Sequence, residues 1–523
     1  MHMRDVDPPR TFRISTLFQI LLFVVAPRQC MGQSQLSLTA IDSDIVAAAN
    51  PLCLDGTLPG YYLYRNSAST SWVIFFQGGG FCSSLSECAT RASDTSAESV
   101  GSSTSYPATM DGVGVYSSNP QINPYFYDWN RVYVPYCDGF FFSGDRDSNE
   151  TISSSLTLHF RGRANLGSTI TALKRQGLSS ATEVLFSGAS AGAVTILYNS
   201  GYLKSQMPAS ATVKFAPISG YFHNGPTASG GTSPLATRLQ AGYQPGVHNA
   251  IPIPGNECMN SGAMSSASCL LPNNTYAYVA NPFFIINSAL DSFSLQFYQS
   301  QNCGVDPFVN PSTQLDNCNS AQILEYNVWQ ASFMADLTSN PSYSRAGNGH
   351  FIYSCYEHAN SENDDQFRML TLNCTVRLNE ALTRWYQSST STPACENTLL
   401  PCTPNVCDKT CNPTCRLDGT QSNGPAGSCS SVGQGSTCSA SATTQAPTPC
   451  NNGGNGGGSS DSNDPDSGET AGIVVGVLVG LTLIAAGLYY FRCRRNSPDQ
   501  EVSLNGPSIH QPREIRTSMS IKV

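Results

Sequence analysis

The sequence predicts an α/β fold on a mainly parallel central sheet, followed by a cysteine-rich stalk and one transmembrane helix. Three observations predict it. Between Gln33 and Tyr386, short apolar runs that read as buried strands alternate with segments of helical pattern, which places helices on both faces of a parallel sheet. One run, Val184-Leu185-Phe186, leads through Gly188-Ala189-Ser190-Ala191-Gly192 into a helical pattern starting at Ala193; this is the strand–turn–helix context of a G-x-S-x-G elbow. From Thr390 the apolar periodicity stops and Cys, Pro, Ser, Thr and Gly dominate, until an uncharged apolar run from Ala471 to Phe491.

Taken in order, Arg4, Arg10 and Arg13 precede the apolar run Ile14 to Ala26, and Cys30 and Gly32 suit positions −3 and −1 of a cleavage site. Residues 1–32 therefore read as a signal peptide, too short to span a membrane. Residues 33–389 read as the globular domain. Trp72 to Phe76 is a strand running into Gln77-Gly78-Gly79-Gly80-Phe81-Cys82, and Arg131 to Pro135 is a second. Ser168 to Gln176, with Ile170 and Leu173 and a closing Gly177, reads as a helix. Val213 to Ala216 and Phe283 to Ile286 are further buried strands, and Asn379 to Tyr386 closes the domain as a helix.

Residues 390–470 form a stalk and linker, tied by disulfides through Cys450, then rich in glycine and serine, then acidic. Residues 471–491 are long enough to span a bilayer, and Arg492, Arg494 and Arg495 place the tail, 492–523, in the cytosol. Gly472, Gly476 and Gly480 repeat a small-xxx-small spacing that admits a helix-mediated dimer. Cys493 is a candidate palmitoylation site.

Of 20 cysteines, ten fall from Cys53 to Cys374 and eight from Cys395 to Cys450. Both subsets are even, as pairing within two modules requires. The dense run Cys402, Cys407, Cys411, Cys415 has no histidine near it and suits no common zinc knuckle, so disulfides are expected and no metal. Asn149, Asn273 and Asn373 head N-glycan acceptor sequons. Charged residues are only 12% and the net charge is −9, with no basic run outside the tail, which excludes nucleic acid as a partner. The expected setting is the plasma membrane or endomembrane, with a single-pass type I topology and the globular domain extracellular or lumenal.

A serine needs a base to take its proton and an acid to orient that base. Behind an elbow serine these follow in the order Ser, Asp or Glu, His. After Ser190 the domain offers His223, His248, His350 and His358. His358 lies just past the apolar stretch Phe351-Ile352-Tyr353, with His350 as its rival, and Asp291 follows the strand Phe283 to Ile286 after a short turn. Gly78-Gly79-Gly80 after the first strand can aim the N–H groups of Gly79 and Gly80 inward, with Ala191 N–H completing an oxyanion hole.

The chain resembles the pectin acetylesterase and Notum carboxylesterase family. The resemblance is carried by Gly78-Gly79-Gly80-Phe81-Cys82, by Asn123-Pro124 through Asp128-Trp129-Asn130-Arg131 to Tyr136-Cys137-Asp138-Gly139 and Ser143-Gly144-Asp145, by the elbow, and by Asn281-Pro282 through Ala289-Leu290-Asp291-Ser292. Ser354-Cys355 with His358 and Ser361-Glu362 matches the family's histidine loop. It spans roughly Leu52 to Tyr386 and implies an α/β-hydrolase-like fold and hydrolysis of carboxylic esters without a cofactor. It also implies Ser190 as nucleophile, Asp291 as orienting acid and His358, not His350, as base.

Departures are Gln77, where family members commonly carry Glu, Phe81, near which they commonly carry Trp, and Ile218-Ser219-Gly220-Tyr221-Phe222, where Asp-Ala-Gly-Phe-Phe is expected. The expected substrate is an O-acetyl ester on cell-wall or matrix polysaccharide; the alternative is a fatty acyl ester on a secreted protein, as for Notum. A third reading, of another class, is an inactive membrane-anchored binding ectodomain, against which the intact Ser, Asp and His argue. Gly80, where the Notum branch carries tryptophan, favours the acetyl reading.

Overall fold

The computed structural model describes residues 34–388, except 97, 226–233, 251–252, 254, 299–302, 305–316, 354–355, 370 and 373–375. The expected signal peptide, stalk, transmembrane segment with its glycine face, Cys493 and tail lie outside the described residues, as do Cys355 and Asn373. Among the described residues no helix is long and apolar enough to cross a membrane.

The first eleven strands, in chain order, are β1 (Leu36–Ala40), β2 (Gly60–Tyr64), β3 (Ser71–Phe76), β4 (Thr109–Met110), β5 (Asn130–Val134), β6 (Arg146–Ser153), β7 (Leu156–Phe160), β8 (Glu183–Ala189), β9 (Thr212–Ile218), β10 (Phe284–Ser288) and β11 (Gly349–Tyr353). The helices that matter here are α1 (Leu85–Ala92), α2 (Gly162–Arg175), α3 (Ala191–Tyr198), α4 (Pro234–Tyr243), α5 (Ser292–Tyr298), α6 (Ser320–Ser339) and α7 (Leu378–Gln387). β6 and β7 form a separate hairpin, and two short strands, β12 (Thr371–Leu372) and β13 (Val376–Arg377), form another; the other strands make a nine-stranded sheet in the order β11-β10-β9-β8-β3-β5-β2-β1-β4. From β11 to β5 every pairing is parallel, and β2, β1 and β4 extend the far edge antiparallel.

Side chains alternate across a strand, and this sorts the apolar runs into two cores. Trp72, Ile74, Phe76, Val184, Phe186, Val213 and Phe215 face Ile170, Leu173, Val194 and Leu197 of α2 and α3. Val73, Phe75, Leu185, Ala216, Ile218, Phe284 and Ile286 face Trp129, Leu378, Leu382 and Trp385 on the other side. Helices cover both faces, which is why these strands read as unbroken apolar runs rather than alternating ones.

All five expected strands are present, β8 and β9 extended at both ends. Helix α2 starts six residues before the expected Ser168, at Gly162; Gly162 and Gly167 weaken the helical pattern there, which hides its first turns in the sequence. Gly162 is required: a Cβ would lie 2.4 Å from Asp138 Oδ2. The edge strands and α6 were not anticipated. The antiparallel edge strands β2, β1 and β4 are short and partly exposed, and α6 announces itself only through an Asn319/Gln322 capping box.

Disulfides join Cys53–Cys137, Cys82–Cys88, Cys258–Cys269 and Cys303–Cys318. The Asp128-Trp129-Asn130-Arg131 block sits at the N-terminal end of β5, at the opposite end of the strand from the glycine loop's partners. Asn130 Nδ2 donates to the carbonyls of Ser69 and Ser71, both at 2.9 Å, and buried Arg131 donates to those of Tyr116 and Ser34. Its role is to lock the sheet.

Candidate active site

The parallel strands end side by side, so the loops after β3, β8, β10 and β11 gather at one edge. Ser190 follows β8 directly, at φ 51° and ψ −117°, with α3 beginning at the next residue. Such a conformation costs a non-glycine residue about 1–3 kcal/mol and persists only where its surroundings enforce it. Here they do. Ser190 N–H donates to Ile218 O at 2.9 Å. The chain turns so tightly that a Cβ on Gly192 would lie 2.0 Å from Phe76 O, and one on Gly188 2.7 Å from the Gly192 carbonyl.

His358 lies beyond β11 and Asp291 beyond β10. The Asp291 carboxylate can only accept, so His358 Nδ1–H donates to Oδ2 at 2.6 Å. Nε2 is thereby left as acceptor for the Ser190 hydroxyl at 2.8 Å. Asp291 is buried, and its Oδ1 accepts from Ser294 N–H at 2.8 Å; it caps α5 as well as holding the imidazole. Phe293 and Phe222 stack on the imidazole at 5.1 and 6.1 Å between centroids. Burial disfavours the imidazolium, but the charge of Asp291, its hydrogen bond, and the nearby Glu357 and Glu362 outweigh it, so the pKa of His358 is raised.

The histidine loop is tied at several points. Glu357 O accepts from Ser292 N–H at 3.0 Å and Glu357 Oε2 from Asn360 N–H at 2.8 Å; its other oxygen bonds the Tyr353 hydroxyl. Ser219 Oγ, in the run that departs from the family, accepts from Ala359 N–H at 3.1 Å. His350, the rival base, is buried within β11, where Tyr343 stacks on it at 4.4 Å and the Tyr276 hydroxyl lies 3.0 Å from its Nε2. His223 is bonded to Asp336 and Ser332 of α6, and His248 to the Cys82 carbonyl.

Gly79 and Gly80 take φ +143° and +64°, where side chains are disfavoured. Their N–H groups have no acceptor among the described residues. Ala191 N–H stands at the start of α3, where no intrahelical acceptor exists. A Cβ on Gly78 would lie 3.1 Å from Ser190 Cβ, so the loop passes directly over the serine. Gln77 Oε1 accepts from Tyr136 N–H at 2.9 Å, a role the family's glutamate can also fill.

Phe222, Phe293, Glu357 and Ser219 support the site without having been anticipated. Phe222 lay in a quoted run, but nothing local says which ring meets the histidine. Among the described residues, Cys82, Cys88 and His248 are the one cluster of metal-ligand types within reach of one another, and its two sulfurs bond each other. Asn149 is exposed on β6, whereas Asn273 is half-buried, donating to Asp336 Oδ1 at 3.2 Å.

A pectinacetylesterase family profile matches residues 31–415. Pectin acetylesterase 5 of Arabidopsis thaliana is 27% identical over 386 residues, 71% of this chain and 83% of that protein. Pectin acetylesterase 11 of the same plant is 29% identical over 332 residues, 63% and 81% of the two chains. The human palmitoleoyl-protein carboxylesterase NOTUM is 34% identical over 155 residues, 30% of each chain. A 1.9 Å structure of the Wnt deacylase Notum from Drosophila shares the fold, with a TM-score of 0.55 at 21% identity, over 67% of this chain and 93% of that one. The chain belongs to the pectinacetylesterase family and is a carboxylic ester hydrolase.

Proposed function

We propose that Ser190, His358 and Asp291 form the catalytic triad of a serine esterase that removes acetyl groups from an extracellular polysaccharide. Ser190 Oγ attacks the ester carbonyl while His358 Nε2 takes its proton, and Asp291 holds Nδ1–H and stabilises the imidazolium. The N–H groups of Gly79, Gly80 and Ala191 receive the oxyanion. His358 then protonates the leaving sugar oxygen, and water activated by the same imidazole releases acetate from the acyl-enzyme. The observation that carries this reading is the unbroken relay from Ser190 Oγ to Asp291, 2.8 and 2.6 Å.

The acetyl assignment is supported by similarity that extends over most of the length of plant pectin acetylesterases and under a third of human NOTUM. Buried Phe81, Phe140 and Phe141 also pack together, edge-on or tilted, beside the glycine loop. The second reading, a fatty acyl ester on a secreted protein, draws on the 34% identity to NOTUM within the shared stretch. A p-nitrophenyl ester series separates them, because each buried methylene contributes about 0.8 kcal/mol in a long apolar pocket. The acetyl reading expects kcat/KM to peak at acetyl or propionyl and acetate to be released from an acetylated polysaccharide. A peak at octanoyl or longer without acetate release would move the assignment to the lipid-removing branch. Composition supports a type I anchor at 471–491 with the catalytic domain outside, N-glycosylated.

A further inference from the structure

A glycine loop has no side chains with which to aim its own N–H groups, yet an oxyanion hole works only if its donors are oriented before charge develops. We propose that Arg91 is a positioning residue for this hole, holding the Gly79–Gly80 peptide so that the Gly80 N–H faces the reacting centre. The proposal rests on the reading of Ser190 as nucleophile. The Gly79 carbonyl and the Gly80 N–H belong to one planar trans peptide and point in opposite directions. Arg91 Nη1 donates to Gly79 O at 2.7 Å, so anchoring that oxygen fixes the direction of the N–H on the opposite side, which no described residue accepts.

The alternative arrangement is a flipped peptide. Two consecutive glycines permit it at little steric cost. It would turn the Gly79 carbonyl toward the oxyanion, replacing a donor with a negative dipole. Arg91, anchored to the carbonyl on the opposite side, opposes the flip.

The surroundings hold Arg91 in register with that peptide. It lies in the last turn of α1, which Ser84 caps and the Cys82–Cys88 disulfide staples to the end of the loop. Its guanidinium sits over the Tyr136 ring at 6.0 Å, and Tyr136 Cδ1 would be 3.1 Å from a Cβ on Gly79. The backbone of Arg91 packs on Gly101, where a Cβ would come within 2.5 Å of its carbonyl oxygen. No ion pair takes the Arg91 guanidinium among the described residues.

The test uses the full-length chain, p-nitrophenyl acetate, and phenylboronic acid, which forms a tetrahedral adduct with a serine nucleophile. Deleting a whole oxyanion donor costs about 100- to 1,000-fold in kcat. Arg91→Met, which removes only the orienting contact, should lower kcat by roughly 10- to 100-fold, leave KM within about twofold, and weaken boronate binding in proportion to kcat. Arg91→Lys, which keeps a donor for the carbonyl, should recover most of both losses. A wild-type kcat in Arg91→Met, or a loss confined to KM with unchanged boronate affinity, overturns the proposal. Should Arg91→Met fail to fold, Arg91→Gln, whose amide is too short to reach the Gly79 carbonyl, is read in its place: kcat and boronate affinity lowered together support the proposal, and wild-type values for both overturn it. Ser190→Ala separates the two readings. If it stays active, the nucleophile assignment falls; if it is inactive while Arg91→Met is unaffected, only the role of Arg91 falls.

Discussion

Ser190 is buried at the end of a central strand, in a backbone conformation that only its packed neighbours sustain, and His358 reaches it from 168 residues further along the chain. Removing the hydroxyl, Ser190→Ala, is expected to lower kcat by roughly a million-fold, and Asp291→Asn by about ten-thousand-fold through the wrong imidazole tautomer; steady-state rates on p-nitrophenyl acetate measure both. The base must be neutral to act. Because its pKa is raised, in part by Glu362, kcat/KM should climb with pH through an inflection above the ordinary histidine value. Glu362→Gln removes the negative charge that Glu362 carries as pH passes its own value of about 7, disfavours the imidazolium there, and should move that inflection to lower pH. An unmoved inflection would show that Glu362 does not act on the imidazole.

At the scale of elements, the elbow is a junction of three backbones, β3, β8 and α3, at close approach. Gly192→Ala places a methyl 2.0 Å from Phe76 O. Neither backbone can retreat without breaking the parallel ladder between β3 and β8, so a loss of more than about 3 kcal/mol is expected. Gly246→Ala, at a position where a Cβ meets nothing within 4 Å, serves as the control and should shift stability by less than about 0.5 kcal/mol. Denaturant midpoints of the two variants give the comparison; similar midpoints would mean that the elbow can relax.

For the whole molecule, burial leaves a signature in the pH dependence of stability. Desolvation pushes Asp138, Glu357 and Glu362 each up to about 7, so the folded chain holds protons that the unfolded chain releases near pH 4. Their contribution is fully present below the unfolded values and is lost as pH rises toward 7. His248, held neutral by burial with its pKa near 3, acts in the opposite sense, costing stability as pH falls below the ordinary histidine value. Three carboxyls outweigh one imidazole, so the Tm should be higher at pH 5 than at pH 8, and Glu357→Gln should flatten the slope. A Tm rising steadily from pH 5 to 8 contradicts this. Catalysis needs the unprotonated imidazole, so activity should rise over the range in which stability falls. A further test concerns the type I anchor proposed at 471–491: with that topology, protease added to intact cells should release a catalytic fragment glycosylated at Asn149 and leave the C-terminus protected. Cleavage of the tail from outside would reverse the proposed orientation.

By itself the sequence determined the parts that are local. Val184 to Phe186 had to be a buried strand because it is apolar on both faces, and Gly188 to Gly192 had to be a sharp turn because its glycines leave room for another backbone. The sheet class followed from the alternation of such runs with helical segments. Composition and order narrowed the base to His350 or His358, and only family resemblance chose between them. The tertiary structure decided what depends on packing across distance. It placed His350 among Tyr276 and Tyr343 inside β11 and brought His358 to Asp291 and Ser190, 67 and 168 residues away in sequence. It also set Arg91 on the Gly79 carbonyl, paired eight cysteines, and added α6 and the antiparallel edge. Strand and turn preferences act over a few neighbouring residues, so they are written in local sequence; a triad is a meeting of loops, and its geometry exists only once the sheet has set the ends of β3, β8, β10 and β11 side by side.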